Sequence, residues 1–531
     1  MNLLRLCILL LTVKSTYGGN ILVTAGLGGS RLFSVVDVAN VLAKAGHIVT
    51  LLTPGFDKRA TVHNSVTWEH SGDEDLQQLS DKLLKLLFVP EILNAQTEEG
   101  VWAIFSEPSL MLKGLAWSQN ITRFYTGDKV GTVFAKGNFD VIIADEKATI
   151  DAALAARKFK HNHDTKRVIP LVMYCPAADH FSSRKYQNYP SMIMSEPGIL
   201  TGDITPEKLP GFADRLLMFK NILGLGSIIN LMKEHWGKFL LEYGLEDVQE
   251  LYDSIELYVI NDHPALTFPF LDPPNAINVA GFNLHVIKAV PLNFEVFLTS
   301  QPLPTILLSF GSYAKTDKYL WFKTLLEGLE KMEVKVVLKT KDEMKLSDKF
   351  MVSPWVPQRD LLASGLVSMF ISHCGNNGRV ETIYYNVPVI CIPLFGDQYQ
   401  NALYVQEKKF GVFHRKEDVT YESVQNSVNN VITHHAEYKQ NMKKASDIIN
   451  KDPASGSAKI LYYIDLLVEY GSLNYLKNKI VKKQSVVEMY NLDIFALIGL
   501  MLIIVFAVFV YGVVKMCCIV KRRVSSKHKT E

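Results

Sequence analysis

Two series of short apolar runs, each closed by glycine or a polar residue and followed by a helix-length stretch, constrain this chain more than any other feature. The first series holds ILVTAG (Ile21 to Gly26), IVTLLT (Ile48 to Thr53), DVIIAD (Asp140 to Asp145), VIPLVMY (Val168 to Tyr174) and LYVIND (Leu257 to Asp262). Between the first two, a helix from Phe33 places Val35, Val38, Ala39 and Leu42 on one face. Strand and helix in this alternation imply a parallel sheet with helices on its faces. The second series holds TILLSFGS (Thr305 to Ser312), a helix from about Asp317 to Met332, VKVVLK (Val334 to Lys339), then MFISH, PVICIP and GVFH. Thr420 to Tyr470 is mostly helical. Pro291, Pro302 and Pro304 in VPLNFEVFLTSQPLP mark a linker between the series. A chain of 531 residues exceeds one ordinary core. The expectation is α/β: two doubly wound domains, 20–290 and 291–475, facing across a cleft, with ligands beyond the carboxyl ends of the strands. Thr61 to Lys136 and His180 to Gly244 read as irregular, helix-rich segments that build a pocket.

The two ends carry targeting features. MNLLRLCILLLTVKSTYGGN has Arg5, an apolar stretch to Val13 and small residues at Gly18 and Gly19, the pattern of a cleaved signal peptide over 1–19. Ile494 to Val514 is a charge-free apolar stretch long enough to cross a bilayer. A linker at 476–493 precedes it, and a tail at 515–531 follows with Lys515, Lys521, Arg522 and Arg523, which suits the cytosolic side. The closing KHKTE resembles a lysine address that returns membrane proteins to the endoplasmic reticulum. These features predict a single-pass type I protein of the endoplasmic reticulum membrane, in contact with lipid and mostly lumenal. Asn120-Ile121-Thr122 is a glycosylation sequon. Of the lumenal cysteines only Cys175, Cys374 and Cys391 remain once Cys7 is removed, which is not a disulfide framework. Cys517-Cys518 lies where palmitoylation occurs, though unmodified thiols are the plainer reading. The net charge of +2, with no basic run interleaved with aromatics, gives no hint of nucleic acid.

The chemistry concentrates in FISHCGNNGRVETIYYNVPVICIPLFGDQYQN. His373 follows the strand Met369 to Ser372 and so sits at a carboxyl end. Cys374 to Gly378 form a turn that exposes N–H groups, and a helix begins at Arg379, together an anion site. Glu381 can accept from sugar hydroxyls. Asp397-Gln398 opens the next helix, and WVPQRDLL places Trp355 and Gln358 at a further strand-to-helix junction. Taken singly, each has a plainer reading: His373 and Trp355 as core residues, Glu381 as a solvated helix residue, Asp397 as an N-cap.

Together, the patterns W-x-P-Q-x-D-L-L, F-I-S-H-C-G-x-N-x-x-x-E, V-P and P-L-F-G-D-Q resemble the signature of the UDP-glycosyltransferases, including the membrane-bound animal UDP-glucuronosyltransferases. The resemblance implies the glycosyltransferase B fold: two Rossmann-like domains, the first for a small lipophilic acceptor and the second for the UDP-sugar, with a C-terminal helix returning to the first. It implies that Trp355 lies against uracil, that Gln358 and Glu381 hold the ribose, and that His373, Asn377, Gly378 and Ser312 meet the diphosphate. Asp397 and Gln398 would hold the donor sugar. Lys339 stands where arginine is common in the family, keeping charge without the bidentate fork. The UDP-sugar is a co-substrate, and neither a separate cofactor nor a metal is implied. Asp73-Glu74-Asp75 superficially resembles a metal motif, but its polar setting reads as a solvated helix start. GLGGSR lacks the third glycine of a dinucleotide-binding loop, which leaves a dehydrogenase poorly supported.

The family's base is a histidine, expected directly after Ser30, oriented by an aspartate that matches Asp145. This chain has Arg31 there. Arginine donates hydrogen bonds but stays protonated. His47 matches a different position, too distant to substitute. Three readings stay open: an acceptor that needs no base, another base such as Asp145, or a non-catalytic member that binds UDP-sugar or partners active relatives. The donor sugar, the acceptor and any homo- or hetero-oligomer are not specified by the sequence.

Overall fold

The computed structural model describes residues 18–26, 28–55, 60–70, 121–160, 168–177, 237, 240–241, 243–245, 248–268, 272–311, 319–341, 344–394, 397–454, 456–478 and 484–527. The signal peptide apart from Gly18 and Gly19, the acidic triplet Asp73 to Asp75, Asn120, Ser312 and the last residues of the tail lie outside them.

The first sheet has seven parallel strands in the order β3-β2-β1-β4-β5-β6-β7. They are β1 (Asn20–Thr24), β2 (Ile48–Thr53), β3 (Val66–His70), β4 (Val141–Asp145), β5 (Leu171–Cys175), β6 (Ile255–Ile260) and β7 (Ala276–Asn278). The second has six in the order β10-β9-β8-β11-β12-β13: β8 (Thr305–Ser309), β9 (Lys335–Lys339), β10 (Phe350–Ser353), β11 (Met369–Ser372), β12 (Val389–Cys391) and β13 (Gly411–Phe413). Helices cover the first sheet as α1 (Gly29–Ala45), α2 (Asp128–Gly137), α3 (Thr149–Lys160) and α4 (Gln249–Asp253). The second sheet carries α5 (Leu292–Thr299), α6 (Leu320–Glu330), α7 (Gln358–Ala363), α8 (Asn376–Tyr384), α9 (Gln398–Glu407), α10 (Tyr421–Thr433) and α11 (His435–Lys451). The central strands β4, β5 and β8 are buried along their whole length, as a sheet covered on both faces requires.

The sequence does not announce β3 and β7, and both lie at the edges of the first sheet. Edge strands shed burial on one side, so polar residues interrupt the apolar run that would reveal them. β10 is the strand that precedes Trp355 at the expected strand-to-helix junction. The proline-flanked linker is also corrected: Leu292–Thr299 is helical, with Pro291 at its N-cap and Phe294 and Leu298 buried one turn apart. Lys335 Nζ donates to the carbonyls of Phe297 (3.2 Å), Leu298 (2.5 Å) and Gln301 (2.8 Å), satisfying that helix's orphan C-terminal acceptors.

α12 (Gly456–Tyr470) returns to the first sheet, where Ile460, Ile464 and Leu467 join the core of α1 and β1. His47, closing α1, accepts from the Gly19 N–H and lies 3.2 Å from Asp465 of α12, so it ties that helix down instead of serving a site. The described residues through Lys477 form one compact unit, and residues 478–531 form a second. The second unit holds α13 (Val486–Met489) and α14 (Leu492–Lys527). Leu492–Lys521 has a mean hydropathy of 3.0 and no buried share, long and apolar enough to cross a membrane.

Candidate active site

Strand order reverses twice, between β1 and β4 and between β8 and β11. At such a switch point the loops diverge and leave a crevice beyond the carboxyl ends. Asp145 ends β4, and His373 follows β11, so both residues sit at switch points. The two crevices open onto one cavity of about 1190 Å3. It is lined by Arg31 from the first sheet's side, and by Lys339, Trp355, Gln358, His373, Asn377, Gly378, Glu381, Asp397 and Gln398 from the second.

The His373 ring is seated by two glycines. A Cβ on Gly311, whose φ is +85°, would come within 3.0 Å of the ring, and one on Gly375 within 2.6 Å. Burial, reinforced by the nearby Lys339, pushes its pKa down to about 4 against a backbone hydrogen bond to Ser309, so the ring is neutral at physiological pH. Directly after it, Cys374 is bonded to Cys391 with Cα atoms 5.4 Å apart. This corrects the expectation that Cys374 and Cys391 are unstapled. β11 and β12 are adjacent and parallel with Ser372 opposite Cys391, which brings the two thiols together. Cys175, at the end of β5, is buried.

The Gln358 amide donates to Glu381 Oε2 at 2.8 Å, joining the two proposed ribose contacts. Burial raises the Glu381 pKa, opposed by Arg359, whose Nε lies 3.5 Å from Oε1, and by the Gln358 amide. Trp355 is 37% exposed, so it is not a core residue. Lys339 Nζ sits 5.3 Å from its centroid and Phe33 meets it edge-on at 5.8 Å. Asp397 occupies the N-cap position of α9, yet its side chain makes no capping bond. It accepts instead from Asn401 Nδ2 at 3.0 Å and lines the cavity. Burial lifts its pKa to about 6 against Arg31, Arg379 and Asn401. The Gln398 side-chain oxygen is taken by the Leu394 N–H at 2.8 Å.

The first-sheet side is organised around Arg31. Its Nη2 donates to Glu146 Oε1 at 2.6 Å. Burial alone would lower the guanidinium's pKa, but Glu146 and Asp145 outweigh it and hold it above its usual value. Burial alone would raise Glu146, but Arg31 and Lys147 bring it to about 2. Asp145 is fully buried and does not line the cavity. Its Oδ1 accepts from the N–H groups of Gly26, Lys147 and Ala148, capping the turn into α3. Burial raises its pKa, opposed by Arg31 and the Gly26 N–H. Among the described residues, Arg31 Nη1, Asp145 Oδ2 and Glu146 Oε2 are buried without a hydrogen-bond partner.

Several contacts that the sequence does not announce bind the two sides together. Asn376 Nδ2 donates to the carbonyls of Pro176 and Asn261, and Asn377 Nδ2 to that of Ser30. Arg379 Nη2 pairs with Asp262 Oδ1 at 3.1 Å, with both side chains fully buried. Arg379 lies two residues from Asn377 and Glu146 next to Asp145, but adjacency in sequence says nothing about partners more than a hundred residues away.

The profile described as "UDP-glucoronosyl and UDP-glucosyl transferase" matches residues 19–531. Human UDP-glucuronosyltransferase 1A8 is 23% identical over 99% of this chain and 98% of its own length. Human UDP-glucuronosyltransferase 3A2 is 30% identical over 51% of this chain and 53% of its own. UDP-glucosyltransferase 2 of Dactylopius coccus is 25% identical over 44% and 46% respectively, so these last two matches span about half of each relative. Among solved structures, the spinosyn forosaminyltransferase SpnP superposes with a TM-score of 0.55 at 17% identity, over 85% of this chain and all of that one. Phytolacca americana UGT2, solved with UDP-2fluoro-glucose and pterostilbene, gives 0.53 at 17% identity, over 85% and 99%. The two parallel sheets are those of the glycosyltransferase B fold, and the chain belongs to the UDP-glucuronosyl and UDP-glucosyl transferase family.

Proposed function

We propose that this chain is an inverting UDP-glycosyltransferase that moves glucuronic acid or glucose from the UDP-sugar to a small lipophilic acceptor. One observation carries the reading: Trp355, the Gln358–Glu381 pair, His373 and Asp397 line a single cavity at the second sheet's switch point. An exposed aromatic suits a base, paired acceptors suit ribose hydroxyls, and the glycine-framed turn suits a diphosphate. The acceptor's oxygen or nitrogen, already ionised or giving its proton to water, attacks the anomeric carbon from the face opposite UDP. The bond to the β-phosphate oxygen breaks with its electron pair, and the turn's N–H groups stabilise that charge. Inversion gives a β-linked product. By its targeting features the protein sits in the endoplasmic reticulum membrane through α14, with residues 20–493 lumenal and Asn120 glycosylated.

The Arg31–Glu146 pair favours a second reading. A protonated guanidinium locked to a carboxylate cannot take the acceptor's proton, which fits a member that binds UDP-sugar without turning it over, alone or beside active relatives. UDP release from UDP-glucose and UDP-glucuronate, measured with a panel of phenols, carboxylic acids and amines, separates the two. Release with any acceptor supports transfer, and donor binding without release supports the second reading.

A further inference from the structure

One guanidinium ties the wall that carries Gln358 and Glu381 to the opposite sheet. Arg359 Nε lies 3.5 Å from Glu381 Oε1. Its Nη2 donates to Asp37 Oδ2 at 3.2 Å and its Nη1 to the Asn283 carbonyl at 3.2 Å. Asn283 Nδ2 donates to the same Asp37 oxygen. Asp37 belongs to α1, one turn beyond Phe33, which packs on Trp355. Thus α1 reaches across the cavity twice, once to the aromatic and once to the partner of the acid.

Glu381 needs such a partner. A buried carboxyl favours its neutral form, in which one oxygen carries a proton and no longer accepts from a hydroxyl. Arg359 and the Gln358 amide oppose that tendency, whereas Asp37 adds to it. The cation that offsets the Glu381 charge also neutralises Asp37. A planar guanidinium serves acceptors in several directions at once, which a lysine ammonium does not do with the same fixed geometry.

We propose that Arg359 is a positioning residue for donor binding: it keeps Glu381 an ionised, aimed acceptor for the ribose hydroxyls and locks it to Asp37, completing the nucleoside pocket across the cleft. This rests on the reading of Glu381 as a ribose contact. Nucleotide affinity then depends on a first-sheet residue, Asp37, whose carboxylate is occupied by Arg359 and Asn283.

The test is calorimetric titration of the full chain in detergent with UDP between pH 5 and pH 8, for wild type, Arg359→Gln, Arg359→Lys, Asp37→Asn and the double variant Asp37→Asn/Arg359→Gln. Titration of the nucleotide and of His373 is common to all, so differences between variants are what is read. Arg359→Gln is expected to weaken UDP by roughly tenfold at pH 7, about 1.4 kcal/mol. Its affinity should also fail at a higher pH on acidification, because Glu381 without Arg359 takes up its proton earlier. Arg359→Lys should restore that pH profile without restoring full affinity. Asp37→Asn should weaken UDP severalfold without moving the acid limb upward, and should add nothing to Arg359→Gln. If thermal unfolding shows Arg359→Gln to be unfolded, Arg359→Lys and Asp37→Asn carry the same comparison. Wild-type affinity and pH profile in the Arg359 variants overturn the proposal, as do losses at Asp37 and Arg359 that simply add. A wild-type chain that binds no UDP removes the ribose reading of Glu381 as well.

Discussion

Arg31 is the residue at which the two proposed readings divide. It fills the position expected of a base and is paired with Glu146 at 2.6 Å. General-base assistance is worth roughly a hundred- to ten-thousand-fold. If its absence limits the reaction, Arg31→His raises kcat for a phenol by about tenfold or more, and an unchanged rate in a steady-state assay refutes that limit. Asp397 makes a second residue-scale prediction. Its carboxyl titrates near pH 6 because burial raises it. As pH falls through about 6 it gains a proton and stops accepting from sugar hydroxyls, so KM for the UDP-sugar rises, while Asp397→Asn shows a flatter acid limb. The stability sign is the opposite. A folded pKa above the unfolded one stabilises at low pH, and that contribution is lost as pH rises from about 4 through about 6. Asp397→Asn is therefore more stable than wild type at pH 8, which chemical denaturation checks; equal midpoints at pH 8 would contradict it. Residues on one motif, such as Gln358 and Glu381, were legible as a group because the family pattern fixes their spacing. Glu146, Arg359 and Asp37 were not, since their roles arise from partners brought close only by folding.

At the scale of elements, buried strands declared themselves as apolar runs, and every strand read from the sequence is present within a few residues. The edge strands β3 and β7 did not, because half-exposed backbone tolerates polar side chains. α5 was hidden by its flanking prolines, which delimit a helix as well as they mark a linker. The disulfide was missed for a topological reason: Cys374 and Cys391 are 17 residues apart in sequence, and only the pairing of β11 with β12 makes them neighbours. Closing a loop of that size removes about 3 kcal/mol of unfolded-state entropy. Reduction, or Cys391→Ala, is expected to lower unfolding stability by about that amount and to weaken UDP binding, because Cys374 immediately follows His373. Matching denaturation midpoints with and without reductant would show that the bridge contributes nothing.

For the molecule as a whole, the two-sheet architecture was readable, whereas the contacts that join the sheets were not. The buried Arg379–Asp262 pair and the Asn376 and Asn377 amides fasten the turn after His373 to the first sheet. Asp262→Asn leaves a buried guanidinium without its counter-charge, at an expected cost of about 3–5 kcal/mol. A thermal melt indistinguishable from wild type would exclude that role. The central claim is that the turn from His373 to Glu381 receives the diphosphate and ribose of a uridine nucleotide. Calorimetric titration of the full chain with UDP tests it most directly. Saturable binding at one site per chain, weakened roughly tenfold or more by His373→Ala and by Glu381→Ala, is the predicted result; no binding heat up to millimolar UDP, or curves unchanged by both substitutions, would contradict it.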